Sequence, residues 1–218
     1  MPTRARFCGS WSCRRWLSVS TAGAGPSGSG PGRLDRERSL LLIVDIQALL
    51  APQVAGHDAV TARSGALLAA ARRLGLPRLA TEHCAARIGP LVPSLRERFV
   101  AGEIFAKTHF GATDHPEFEA LVRAQGRTQL VVAGMEAHVC VLQTALGLAA
   151  GGYEVFVAGD AVGSRGARSE DRRFALERMR GAGCVIVGTE TVLFEWARAG
   201  DDAAFRDLLA LAKALPSH

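Results

Sequence analysis

The amino-acid sequence predicts an α/β protein in which a parallel sheet is covered by helices on both faces. Two observations carry that prediction. Short segments that are apolar throughout, rather than alternately apolar, recur along the chain, as expected of strands buried on both faces. Between them lie segments with apolar residues at helical spacing, so each strand is followed by a crossover helix.

The pattern begins at Ser39. "LLLIVDI" (40–46) reads as the first strand, and "DAVTARSGALLAAARRLG" (58–75) as an amphipathic helix opened by Asp58 and closed by Gly75, residue types suited to a helix start and stop. "PRLATE" (77–82) and "EIFAKT" (103–108) are strands. "HPEFEALVRAQG" (115–126) is a helix with Pro near its start and Gly at its end. A short strand over 129–133 ends at Gly134. From about His138, Val141, Leu142, Ala145, Leu148 and Ala149 recur at helical spacing until Gly151 and Gly152 stop them. A strand over 153–160, a helix over 169–182, a strand over 184–188 and helices over 189–198 and 202–214 complete the pattern. Six strands in this order make a three-layer sandwich around a six-stranded parallel sheet.

Composition narrows the function classes. A chain of 218 residues at 48% hydrophobic can bury one substantial core. No apolar run is long enough to span a bilayer. Cysteines at 8, 13, 84, 140 and 184 form no CxxC pair, and an odd count suits reduced thiols and a cytoplasmic setting. The pI near 9.3 would suggest nucleic acid, but the excess charge is local. Residues 1–38 hold seven Arg and two acids, and the remaining chain holds nineteen basic and nineteen acidic groups. A neutral domain argues against a nucleic-acid groove. Residues 1–38, rich in Arg, Ser and Gly and including "TAGAGPSGSGPGR", are expected to be a disordered basic leader. Mitochondrial targeting would also fit a leader so poor in acids. The folded domain is expected over 39–218.

Ligands of such sheets bind at the carboxyl ends of strands, where strand order reverses. Asp45 stands near that end of the first strand, Lys107 of the third, and Cys140 just beyond the fourth. Cys140 falls in the first turn of a helix, where unpaired N–H groups and the positive end of the dipole favour a thiolate. A pKa below the usual value of about 8.5 is expected there, although a small buried core residue is the bland alternative. Lys107 is informative because the chain uses 24 Arg and only two Lys, at 107 and 213. A lysine kept in such a composition fits a site that needs a compact ammonium. Acid, amine and thiol suggest nucleophilic catalysis: Asp45 takes the thiol proton, Lys107 holds both anions, and Cys140 attacks a carbonyl.

"LLIVDIQ", "FAKTHFG" and "VVAGMEAHVCVLQTALGL", continued through "GDAVGSR", "ALERMRGAG" and "TETVLFEWA", resemble the isochorismatase-like cysteine hydrolases over roughly residues 39–213. The resemblance implies a six-stranded parallel sheet of Rossmann-type order and an Asp-Lys-Cys triad at Asp45, Lys107 and Cys140. It also implies a cis peptide at Met135–Glu136, with the N–H groups of Glu136 and Cys140 forming an oxyanion hole. Nicotinamidases of this superfamily bind a metal through an Asp-x-His…His cluster after the first strand. Here that interval offers only His57 and "TEHCAARIGP", whose His83 has no ligand partner at helpful spacing. No metal and no cofactor are therefore expected. The wording is closer to the metal-free, YcaC-like branch of isochorismatase-domain proteins.

Neighbouring residues complete the expected site. Gln47, His83, His109 and Phe110 are candidate pocket residues because they follow or flank the triad positions at the same rim. His138 reads as a helix-start residue, and Cys84 and Cys184 as structural thiols. The "GDAVGSRG" loop has glycines, but no Gly-rich phosphate fingerprint follows the first strand, which argues against a dinucleotide cofactor. The expected activity is hydrolysis of a small molecule, most simply at an amide-type C–N bond, by a homo-oligomer. A vinyl-ether-cleaving isochorismatase, a nicotinamidase and a catalytically idle assembly partner are the alternatives.

Overall fold

The computed structural model describes residues 32–217. All six strands lie in one parallel sheet, β1 (Ser39–Val44), β2 (Arg78–His83), β3 (Ile104–Lys107), β4 (Gln129–Met135), β5 (Glu154–Gly163) and β6 (Val185–Val187). Their spatial order is β3-β2-β1-β4-β5-β6. Chain order reverses at β1, which pairs with β2 on one side and β4 on the other. The helices are α1 (His57–Arg73), α2 (Ala85–Ile88), α3 (Pro93–Arg96), α4 (Pro116–Ala124), α5 (Leu142–Ala150), α6 (Ser169–Gly181), α7 (Thr189–Ala197) and α8 (Phe205–Lys213). The two four-residue helices α2 and α3 are too short to show a helical period in the sequence.

Alternation along β1 divides the core into two halves. Leu41 and Ile43 pack with Leu67 and Leu68 of α1, Val192 and Trp196 of α7 and Leu208 of α8. Leu40, Leu42 and Val44 pack on the other face with Phe118 of α4, Leu148 of α5 and Met179 of α6. All six residues of β1 are buried, which is why the strand reads as continuously apolar. Its one polar member, Ser39, accepts a hydrogen bond from buried Trp196 Nε1 at 3.0 Å.

The switch point is tight. Gly134 has φ +142°, and a Cβ there would stand 2.1 Å from the carbonyl oxygen of Val44. Only glycine lets β4 approach β1 this closely just before the site.

The expected boundary at Ser39 is corrected by the packing. Leu34 is buried in the core, its N–H donates to Glu195 at 2.8 Å, and the Asp35 N–H donates to Gln129 at 2.7 Å. Arg36 pairs with Asp202 at 2.7 Å. An apolar residue inside an Arg-rich stretch gave no periodic signal, so only contacts reveal that residues 33–38 belong to the domain. Residues 1–31 of the expected leader lie outside the described residues. Among the described residues, no helix is long and apolar enough to cross a membrane.

Candidate active site

β1 presents Asp45 one residue past its end. The Asp45 backbone is left-handed (φ 50°), a region that aspartate tolerates better than most residues, and its N–H donates to the carbonyl of Thr81 at 3.2 Å. Thr81, in the adjacent strand β2, donates its hydroxyl to Asp45 Oδ1 at 2.6 Å. Lys107 ends β3 and brings Nζ to 2.7 Å from Asp45 Oδ2, an ion-pair contact outside hydrogen-bond angles. The same ammonium donates to the carbonyls of His109 at 3.2 Å and Phe110 at 3.0 Å. Neither side chain of the pair has any exposed surface. Such a pair persists only where hydrogen bonds meet its remaining valences, and here one hydroxyl and two carbonyls do so.

Cys140 arrives from the opposite side of the switch point. It lies in a single π-helical turn, Ala137–Val141, between β4 and α5. The Val141 N–H closes that turn on the Glu136 carbonyl at 3.1 Å. Both Asp45 and Lys107 act on the buried thiol through their charges, so acid, amine and thiol from three parts of the chain gather at the carboxyl ends of the strands.

The thiolate expected from the helix-start position is corrected here. Burial, followed by the charge of Asp45, pushes the Cys140 thiol up to about 12, against the opposing pull of Lys107. Cys140 is only 6% exposed, and desolvation penalises the charged form directly. The sequence displayed the helix start and both charges but not the burial. Burial therefore favours a resting thiol beside Asp45 and Lys107.

The peptide bond between Met135 and Glu136 is cis. The buried Glu136 carboxylate accepts from Arg165 Nε at 2.7 Å and from the Arg165 N–H at 3.2 Å. His138 Nδ1 lies 2.9 Å from Ser164 Oγ.

The four candidate pocket residues divide. Gln47 is fully buried and does not present a free amide. Its Oε1 accepts the His83 N–H at 2.8 Å, and its Nε2 donates to the carbonyls of His83 and Gly89. It is a clamp on the backbone rather than a pocket wall. His83, at the end of β2, stacks against Phe110 with ring centroids 5.1 Å apart, and Phe110 is half exposed. His109 is exposed, with Nδ1 3.1 Å from Nε2 of His115.

Sequence reasoning missed Thr81 and His115. Threonine inside a strand is ordinary, so nothing distinguished the one that holds Asp45. His115 Nε2 accepts from the N–H groups of Thr108 and His109 at 3.3 and 3.4 Å, and so ties down the loop whose carbonyls hold Lys107. A histidine just before a helical proline carried no such signal. Among the described residues, no group of three or more His, Cys, Asp or Glu is placed to hold a metal ion.

Comparison with known proteins agrees with this architecture. The family model described as the isochorismatase domain matches residues 39–191. Isochorismatase domain-containing protein 2 of Danio rerio is 32% identical over 183 residues, covering 84% of this chain and 91% of that one. The solved structure of MAR1 ribonuclease from Caenorhabditis elegans superposes with a TM-score of 0.79 at 31% identity, over 85% of this chain and 95% of that one. YcaC from Pseudomonas aeruginosa, solved with hexane-2,5-diol and covalent acrylamide, gives 0.76 at 32% identity, over 83% and 91%. With its six-stranded parallel sheet and a family match spanning most of its length, the chain belongs to the isochorismatase family, whose members are generally hydrolases.

Proposed function

We propose that this protein is a cysteine-dependent hydrolase of a small molecule with an amide-type C–N bond. The observation that carries the reading is the buried Asp45–Lys107 ion pair, 2.7 Å apart, whose charges act on the buried thiol of Cys140. A thiol beside a carboxylate needs no standing thiolate. Asp45 takes the proton as the sulfur attacks, so charge develops only in the transition state.

The sequence of bonds then follows. The S–C bond forms as the carbonyl π bond opens, and the N–H groups of Glu136 and Cys140 receive the oxyanion. The C–N bond breaks as Asp45 returns the proton to the departing nitrogen, leaving a thioester. Water, deprotonated by Asp45, hydrolyses that thioester and restores the thiol. Lys107 holds the Asp45 carboxyl in place throughout. Support for a nucleophile in this fold comes from the YcaC neighbour, which holds acrylamide, an alkene electrophile, covalently.

The test is a panel of small primary amides given to the full chain and to Cys140→Ala. Ammonia release by the parent chain that vanishes in the variant, with the fold retained by circular dichroism, is the expected result. Release that survives in Cys140→Ala, or none from any amide, overturns the reading. Cleavage of a vinyl ether or of RNA in place of amides would transfer the activity to another substrate class; the RNA arm is included because the nematode neighbour is named a ribonuclease.

A further inference from the structure

We propose that one face of α6 is a self-complementary surface on which a second copy of this chain docks, helix against antiparallel helix about a two-fold axis. Asp171, Phe174, Ala175 and Arg178 stand at i, i+3, i+4 and i+7 along α6, so they form a single stripe of its surface. The stripe borders a cavity of about 280 Å³ whose other wall is His138 and Leu142. Phe174 is 53% exposed. An aromatic ring left in water at the edge of a hollow is what a protein interface presents.

The other charges of α6 set this stripe apart. Arg173 is paired along the helix, with Glu170 at 3.0 Å and Glu177 at 2.7 Å. Its guanidinium lies 4.4 Å from the centre of the Phe174 ring. A ring held in advance loses less freedom when a partner arrives. The charges of the stripe itself are poorly met. Asp171 has one distant ion-pair contact, to Arg168 at 3.8 Å. The Arg178 side chain has no ion-pair or hydrogen-bond partner among the described residues.

The order along the stripe identifies the occupant. A two-fold axis passing midway between positions 174 and 175 sets Asp171 of one copy opposite Arg178 of the other, and does so twice. The same axis sets Phe174 of each copy against Ala175 of the other, at the mouth of its cavity. Two parallel helices would instead bring acid to acid and base to base, which is costly. Self-complementarity is the property an isologous interface requires, and an acid–aromatic–alanine–base order has it only in the antiparallel sense. Because His138 and Leu142 each lie two residues from Cys140 in sequence, the docked copy packs beside the π-helical turn that carries the thiol.

The experiment is sedimentation of the full parent chain, Asp171→Arg, Arg178→Asp and an equimolar mixture of the two variants. The parent is expected to sediment as a dimer or a multiple of one. Each variant alone sets like charges together at both ends of the stripe, and its dissociation constant should rise at least about tenfold. In the mixture, a pair made of one copy of each variant sets opposite charges together at both ends. Association should therefore return to within about threefold of the parent. A parent that stays monomeric at about 100 μM overturns the proposal and leaves the face to a different partner. Variants that associate like the parent, or a mixture that stays dissociated, overturn it as well. Circular dichroism checks the fold of each variant. If either fails to fold, Phe174→Ser decides: about tenfold weaker association supports the proposal, and unchanged association overturns it.

Discussion

The two halves of the site, on either side of the switch point, solve opposite problems. On the β1–β2–β3 side, charge is buried outright: Asp45 and Lys107 have no exposed side-chain surface, and a hydroxyl and two carbonyls surround them. On the β4 side, burial does the reverse and keeps the Cys140 thiol neutral. Desolvation penalises a charge in both places. What differs is the number of fixed dipoles and opposite charges gathered around each group, and around Cys140 burial outweighs them.

The largest expected effect tests the thiol half. With its pKa at about 12, Cys140 should react with iodoacetamide roughly a thousandfold more slowly at pH 7 than an ordinary thiol of pKa about 8.5. The rate should climb about tenfold per pH unit until the fold gives way. The sign also applies to stability. The unfolded thiol ionises first, so this group's contribution is full below about pH 8.5 and is lost as pH rises toward about 12. Labelling followed by peptide mass spectrometry checks this; fast labelling of Cys140 at pH 7 would restore the thiolate expected from sequence.

The charged half should respond through stability as well as rate. Lys107→Met strands the Asp45 carboxylate in the interior and should destabilise by about 3–5 kcal/mol, read as a shift in the urea midpoint. Cys140→Ala, by contrast, removes no charge and should move that midpoint far less. Similar shifts for the two variants would erase the contrast between the halves.

Thr81→Val is the smallest and sharpest of the three. It removes one hydrogen bond to Asp45 Oδ1 and fills nearly the same space. A loss of about 1.5–3 kcal/mol is expected for a bond to a charged group, with a fall in kcat and little change in KM. An unchanged kcat would mean that Lys107 alone positions the carboxylate.

Much of this site was legible in sequence for a physical reason. A polar residue at the end of an apolar strand is conspicuous, and Asp45, Lys107 and Cys140 each stand in that place. Lys107 was doubly so in a chain that otherwise writes arginine. The sheet followed from six apolar segments whose burial on both faces removed any alternation. Illegible residues were those whose role depends on a partner distant in sequence. Gln47 reaches residues 83 and 89, and Thr81 reaches back to 45. The direction of the Cys140 shift was illegible too, because burial is a property of the packed chain and not of a motif.

The π-helical turn that carries Cys140 has a consequence of its own. An α-helix advances about 100° per residue, so in an uninterrupted helix the aim of residue 140 would be locked to the stripe of Leu142, Ala145 and Leu148 that α5 buries. One additional residue, accommodated by the bond from Val141 to Glu136, breaks that lock. It acts as a phase shifter, letting the bearing of Cys140 and the helix's seat against the sheet be set independently. Residue count between Glu136 and Leu142 thereby becomes a design quantity in itself. Removing a single residue there would leave every remaining side chain chemically intact and still turn the thiol away from Asp45.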